Sequence, residues 1–581
     1  MSKLNIDQQS IKDLFSQKKA DFLIPDYQRP YAWTETKCQT LWDDICSFAF
    51  PNDDYSQFDS DNDEYFLGPI VTYKNAKNKL EIIDGQQRLT TLMLLLRAFY
   101  EKFGNMKDKN SVSTRAEIEK CIWKTDEFGN PNKNALKIDS EVATDNDKDE
   151  FLQILKTAIV PDEYKSKYAA TFRFFKKKID EFLSSFPSYF AYLPTRILSN
   201  CILLPIEAES QDTALRIFST LNDRGKPLSD ADIFKAQFYK YYSDKGEKDD
   251  FIKRWKQLED TCNAIFHPMS GTPMDELFTR YMYYERAKMG IKLSTTESLR
   301  KFYEKNGYTI LKRDETLGQL EELVAFWNDV ANQDAEKFSD RVLRRLFVLN
   351  YAPNGMWTYF LSVYFLQNKN ADGSLDEDKL FIFLSRITAF IWAYAMTNPG
   401  VNALRTPVYA EMIKIVNGEE VKFEDYKFEK ASVENTISNY GFFNGRPITK
   451  AMLTWWAFQD DAQELLTLET VYEIEHIFAK KRQEVDKTLS SNKYLELLGN
   501  KALLEKKINI RASDYRFSDK KKYYQGYTTA RGQVKPATKV KELITLSNTN
   551  ADYSEADIKT RNTSILTGFV NYLKSNELLL D

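Results

Sequence analysis

At 581 residues, 43% of them hydrophobic and 14% aromatic, the chain is too long for one hydrophobic core and too apolar to stay disordered, so two to four domains are expected. The net charge of −4, from 81 basic and 85 acidic side chains, decides nothing about nucleic acid. Five scattered cysteines (Cys38, Cys46, Cys121, Cys201, Cys262), odd in number and without C-x-x-C spacing, argue against a disulfide frame or a zinc site and for reduced thiols in the cytoplasm.

The start, Met1 to Asp21, is too polar for a signal peptide. Phe22 to Trp33, "FLIPDYQRPYAW", carries two prolines and is expected to be an extended loop. A helix follows from Thr36 to Phe48, then an acidic loop. Residues 43–64 hold Asp43, Asp44, Asp53, Asp54, Asp59, Asp61, Asp63 and Glu64 and no Lys or Arg. Two β-rich runs, Tyr65–Tyr73 and Lys79–Ile83, flank the turn "KNAKN", and apolar spacing predicts a helix from Arg88 to Tyr100.

From about residue 150 the pattern reads as mainly helical. Asp212–Leu221 and Ser229–Tyr242 read as helices around "NDRGKP", the second opened by Ser229 with Asp232 three residues on. Residues 245–430 look like a bundle rich in Phe, Tyr and Leu, without a chemical motif. The most apolar stretches, Leu89–Tyr100 and Phe381–Met396, are broken by Arg97 and Arg386 and read as buried helices, with no membrane span expected.

Mixed structure returns after about residue 430. The chain has two histidines. His267, in "IFHPM", has no acidic or polar companions and is assigned a structural or surface role. His476 lies in "VYEIEHIF", where alternation puts Tyr472, Ile474 and His476 on one strand face and Glu473 and Glu475 on the other. Gly499 and Asn500 form a turn before a short strand, Ala502–Leu504; Asn509 follows nine residues after Asn500, and a helix starts near Ser518. Residues 476–541 carry seventeen Lys or Arg against six Asp or Glu, a surface suited to phosphates. Strand with acid–His pair, turn with Asn, strand, then Asn entering a helix is the layout of a ββα-metal nuclease. Neutral imidazole can deprotonate water near neutral pH, and carboxylate and amide oxygens suit Mg²⁺.

Upstream, "LEIIDGQQRLTTLMLLL" places Asp84, Gly85, Gln86, Gln87 and Arg88 between a strand and a helix N-terminus, where free N–H groups favour an anion. The plain alternative is a helix cap and a turn. No P-loop is present: Gly225-Lys226 lacks the preceding Gly and the following Ser/Thr.

"IEHIFAKK … LGNKALLEKKIN" resembles the HNH-type nuclease domain of the GmrSD-like type IV restriction enzymes. "IPDYQRPYAW", "FLGPIV", "IIDGQQRLTTL" and "FSTLNDRGKPLSDADIFKA" resemble that family's N-terminal domain, related to the ParB and sulfiredoxin nucleotide-binding fold. The resemblance implies His476 as general base, Glu475 and Asn509 as ligands of Mg²⁺ or Mn²⁺, and Asn500 as the middle, structural residue of the catalytic group. It further implies Asp84, Gly85, Gln86, Gln87 and Arg88 as nucleotide-site residues, with Tyr27, Gln28 and Arg29 sensing DNA or coupling it to triphosphate hydrolysis, and Asn222, Arg224 and Gly225 as a supporting loop. The family usually has proline where Ala479 stands.

The expected architecture is predominantly helical α+β: a ParB/sulfiredoxin-like α/β nucleotide-binding and DNA-sensing domain at 1–245, a helical connecting region at 246–429, and an HNH-type ββα-metal nuclease domain at 430–581. The expected function is nucleotide-dependent cleavage of modified phage DNA in the cytoplasm; a homo-oligomer is compatible with the sequence. Ala479, and Glu475 where many HNH enzymes have Asp, keep a second reading in view: a nucleotide-switched DNA-binding regulator with an inactive nuclease domain. A nuclease toxin indifferent to nucleotide is the third.

Overall fold

The computed structural model describes residues 5–580 apart from 7, 143–144, 212, 215–216, 218–228, 399 and 401–402. The chain forms two compact units, Met1–Lys256 and Gln257–Asp581. Both fit the expected mostly helical α+β class, with the larger sheet in the first unit.

The first unit is built on a seven-stranded mixed sheet: β1 (Asn5–Ile6), β2 (Gln9–Ser10), β3 (Phe22–Ile24), β4 (Tyr65–Lys74), β5 (Leu80–Asp84), β6 (Ile138–Ser140) and β7 (Cys201–Ala208). The order is β1-β7-β4-β5-β3-β6, with β2 also on β7. β4 pairs with β5 antiparallel and with β7 parallel, and β3 lies parallel to both β5 and β6. Strand alternation sorts the apolar side chains. Ile70, Ile82 and Leu203 join the large core on one face, while their neighbours Val71 and Ile83, with Ile206, join Tyr27 and Ala236 on the other.

Helix α1 (Glu35–Ala49) and helix α2 (Gln86–Lys102) follow the expected spacing, each extended by a residue or two at its ends. Leu89, Leu92, Met93, Leu94 and Leu96 of α2 are all sealed in the core, and helix α3 (Lys167–Ser185) packs on α2, with Phe172 and Phe175 buried in the same core. On the other face lies helix α4 (Asp230–Asp244), opened by a full capping box between Ser229 and Asp232.

Two expectations are corrected. Phe22–Ile24 is an interior strand and not loop: Phe22 and Ile24 are buried apolar residues, and Pro25 ends the run after three residues. Cys201–Ala208 is a strand inside the stretch read as helical; it is the parallel partner of β4 over most of its length, carrying Pro205 opposite Ile70. The expected helix Asp212–Leu221 lies largely outside the described residues.

In the second unit the helix α5 (Glu377–Thr397) is long and apolar enough to cross a membrane by composition, yet 72% of its apolar window is buried inside the protein. Its Arg386 donates to Glu420, to the Val421 carbonyl and to Glu577. His267 is exposed.

Candidate functional site

The C-terminal part holds an antiparallel hairpin of β8 (Tyr472–His476) and β9 (Lys501–Glu505), with His476 opposite Lys501 and Glu475 opposite Ala502. Helices α6 (Lys506–Ala512) and α7 (Phe517–Gln525) follow, and α8 (Glu555–Ser575) packs against the turn that enters β9. The helix expected near Ser518 starts at Phe517; α6, whose first residues follow β9 without a loop, is the helix that Asn509 is expected to enter.

Asn500 is fully buried and holds the exit of β8. Its side-chain oxygen accepts from the Phe478 N–H at 2.7 Å, and its amide nitrogen donates to the Phe478 and Leu495 carbonyls at 3.0 and 3.4 Å. The Asn500 carbonyl accepts from the Ile477 N–H at 2.9 Å. Ala479 occupies the first turn beyond with φ −68°, the value a proline ring would impose, so its substitution leaves this backbone shape intact.

Alternation turns the His476 ring to the face of Lys501. Burial first, then the charges of Lys501 and Lys480, press the imidazole pKa down from 6.5 to about 3, so the ring is neutral throughout the cellular pH range. Its Nε2 is shielded from bulk solvent and has no hydrogen-bond partner among the described residues. Glu496 sits between two cations on this side, paired with Lys480 and, at 2.7 Å, with the buried Lys501.

The opposite face tells a different story for the expected metal ligands. Glu475 is buried; its Oε1 accepts from Lys520 Nζ at 2.7 Å and from the Tyr524 hydroxyl at 2.6 Å. Asn509 donates its amide to Glu473 Oε2 at 3.0 Å, with Lys506 at 3.6 Å from the same carboxylate. Glu475 and Asn509 are thus bonded to different partners, and strand alternation puts the His476 ring on the other face from Glu475. The Glu475 carboxylate already has an enclosed cationic partner, and no group of three or more His, Cys, Asp or Glu able to hold a metal ion occurs among the described residues. These residues, as arranged, do not fit a shared divalent cation.

Lys520, Tyr524, Glu473 and Lys501 were not singled out from the sequence. A signal was present: Phe517, Lys520 and Tyr524 recur at helical spacing and all three are buried.

In the first unit, Gly85 takes φ +92° between β5 and α2, a turn that suits glycine, and its Cα packs on Ile70 closely enough that a Cβ would sit 3.0 Å from Ile70 Cγ1. Gln86 and Gln87 are spent on the adjoining loop. Gln86 donates to the Arg29 carbonyl at 3.2 Å; Gln87 donates to the Pro30 carbonyl at 3.1 Å and accepts from the Ala32 N–H at 2.6 Å. Gln28 returns the contact, donating to the Ile82 and Ile83 carbonyls at 3.2 and 3.1 Å. Tyr27 is buried against Tyr239, with its hydroxyl pKa driven up by desolvation. Arg29 Nε is buried without a partner among the described residues. Arg88 donates to the Pro69 carbonyl at 2.9 Å; burial lowers its pKa and the Asp84 charge opposes that. Loop 27–32 and the start of α2 therefore form one bonded unit. Asn222, Arg224 and Gly225 lie outside the described residues.

No curated protein matches the chain. Two family models do: the GmrSD restriction endonuclease N-terminal domain over residues 11–239, which contains strands β3 to β7 of the sheet and the Asp84–Arg88 loop, and the GmrSD restriction endonuclease C-terminal domain over 423–567, which contains the hairpin. With both domains in one polypeptide, the chain belongs to the GmrSD family of type IV, modification-dependent restriction endonucleases.

Proposed function

We propose that the chain cleaves modified phage DNA in the cytoplasm, with His476 as general base and with cutting governed by a nucleoside triphosphate at the Asp84–Arg88 loop. The observation that carries this reading is the Nε2 of a neutral imidazole, without a partner among the described residues, at the end of a hairpin fixed by Asn500. Such a nitrogen can accept a proton from water as the water oxygen bonds to phosphorus and the bond to the leaving sugar oxygen breaks. Because Nε2 is shielded at rest, docking of DNA has to open it. Lys480, half-exposed and bound to Glu496, is one of the cations that bear on the ring. The Lys and Arg excess around the hairpin supplies the phosphate contacts.

At the first unit, the anion is held by the N–H groups opening α2 and by Arg88, since the Gln86 and Gln87 side chains are engaged with the loop. Those same bonds end on the Arg29 and Pro30 carbonyls, so they would carry a change at the nucleotide into the loop that holds Tyr27, Gln28 and Arg29.

The test is cleavage of modified and unmodified duplexes with each triphosphate by wild type, His476→Ala and Arg88→Ala. Loss of a general base lowers the rate by about 10²- to 10⁴-fold; His476→Ala cutting at the wild-type rate removes the base. The enclosure of Glu475 by Lys520 favours one other reading, a DNA-binding regulator that does not cut. That reading requires binding with no cleavage by the wild type under any divalent ion.

A further inference from the structure

Taking the hairpin as the cleavage centre proposed above, we propose that the chain's own ammonium, Lys520, fills the cation position at Glu475, so that Glu475 and Lys520 are positioning residues for His476 and not the seat of a divalent metal. The two side chains are 4% and 1% exposed and 2.7 Å apart. A buried carboxylate keeps its charge only beside a counter-charge with its lone pairs satisfied. Lys520 supplies the charge and Tyr524 a second donor at 2.6 Å on the same oxygen. Both come from one face of α7, four residues apart.

The second bond of Lys520 joins the pair to the base. Its Nζ donates to the His476 carbonyl at 2.6 Å, so one side chain grips both the acid and the peptide carrying the imidazole. Asn500 holds the next stretch, Ile477 and Phe478. The base is thus pinned from behind by a fixed cation whose presence does not depend on metal concentration. A divalent ion seeking Glu475 would have to expel an ammonium that is sealed from water, and would meet its like charge within a few ångströms.

The test is Mn²⁺ titration of the full chain by calorimetry, with circular dichroism and thermal midpoint as controls. Glu475→Gln keeps an acceptor for Lys520 and Tyr524, and its Mn²⁺ affinity is expected within about twofold of wild type; removal of a true ligand costs about tenfold or more. Lys520→Met bares the carboxylate and is expected to gain a Mn²⁺ site that the further change Glu475→Gln abolishes, while Lys520→Arg behaves as wild type. A loss of about tenfold in Mn²⁺ affinity in a well-folded Glu475→Gln protein overturns the proposal. Should Lys520→Met not fold, the Glu475→Gln isotherm decides alone. Undiminished cutting by His476→Ala would instead sink the nuclease assignment, and it leaves these isotherms untouched.

Discussion

Gly499 and Ile558 meet backbone to backbone: a Cβ on Gly499 would be driven into the Ile558 carbonyl oxygen and would lie 2.8 Å from both N and Cβ of Asn562. The turn is clamped from the same side. Tyr553 donates to the Gly499 carbonyl at 2.6 Å, and Arg561 donates to the Leu498 and Lys501 carbonyls, each at 2.7 Å. Neither the turn nor α8 can retreat from an added methyl. Gly499→Ala is expected to destabilise the second unit at or beyond the upper end of the usual overpacking range, about 3 kcal/mol. Urea unfolding checks it, and a midpoint equal to wild type would mean that the contact yields freely.

Asn500 has no conservative replacement in this setting. Asparagine offers one carbonyl acceptor and an NH2 group with two donor hydrogens, and acceptor and donors alike are used inside the protein. Asn500→Asp keeps the acceptor for the Phe478 N–H but points a buried carboxylate at the Phe478 and Leu495 carbonyls. Asn500→Ala leaves the Phe478 N–H unsatisfied. Each is expected to lose about 2–4 kcal/mol of stability and to lower cleavage by loosening the exit of β8. Denaturant midpoints and initial cleavage rates measure both effects; an aspartate variant as stable as wild type would show that the amide donor is idle.

The hairpin was legible because its evidence is local. Alternation in "VYEIEHIF" sets the faces, and the turn and spacing around Asn500 sit within one stretch of chain. The partners of Glu475 were not, since Lys520 is the first of three consecutive lysines and only packing of α7 decides which of them is buried. Helical spacing with Phe517 and Tyr524 could have picked it out. In the first unit, β3 is three residues long and runs into Pro25, so the two prolines of its stretch read as loop, while β7 lies between helices and carries Pro205, which tells against a central strand. Gln86 and Gln87 show a further limit. The helix N-terminus is visible in sequence, but their use as braces for loop 27–32 is a tertiary fact.

Gly68 prepares the seat of Arg88. It takes φ +111°, and a Cβ there would come 3.0 Å from Arg88 Nη2 and 3.1 Å from Cζ. Gly68→Ala is therefore expected to cost about 1–3 kcal/mol through backbone strain, and to weaken triphosphate binding by displacing the guanidinium. The steric share depends on Arg88 being present. In an Arg88→Ala background the same change should cost less, and a double-mutant cycle reads the difference. Equal costs in the two backgrounds would separate Gly68 from Arg88.

His476 should leave a signature in pH. Its folded pKa, about 3, lies below the ordinary 6.5 because burial and the charges of Lys501 and Lys480 oppose the imidazolium. Between these values the unfolded chain binds a proton that the folded chain does not. The neutral ring therefore contributes stability that is fully present above pH 6.5 and is lost as pH falls toward 3, at up to about 1.4 kcal/mol per pH unit. Relative to His476→Gln, whose side chain does not titrate, the wild type should lose stability between pH 6.5 and pH 4.5; parallel curves would show that the ring titrates normally. The same depression predicts that the acid limb of kcat/KM for DNA cleavage falls below pH 6.5, since the free enzyme already holds the base in its working, unprotonated form. A limb centred at 6.5 would mean that the ring meets water more freely than its enclosure in the hairpin allows.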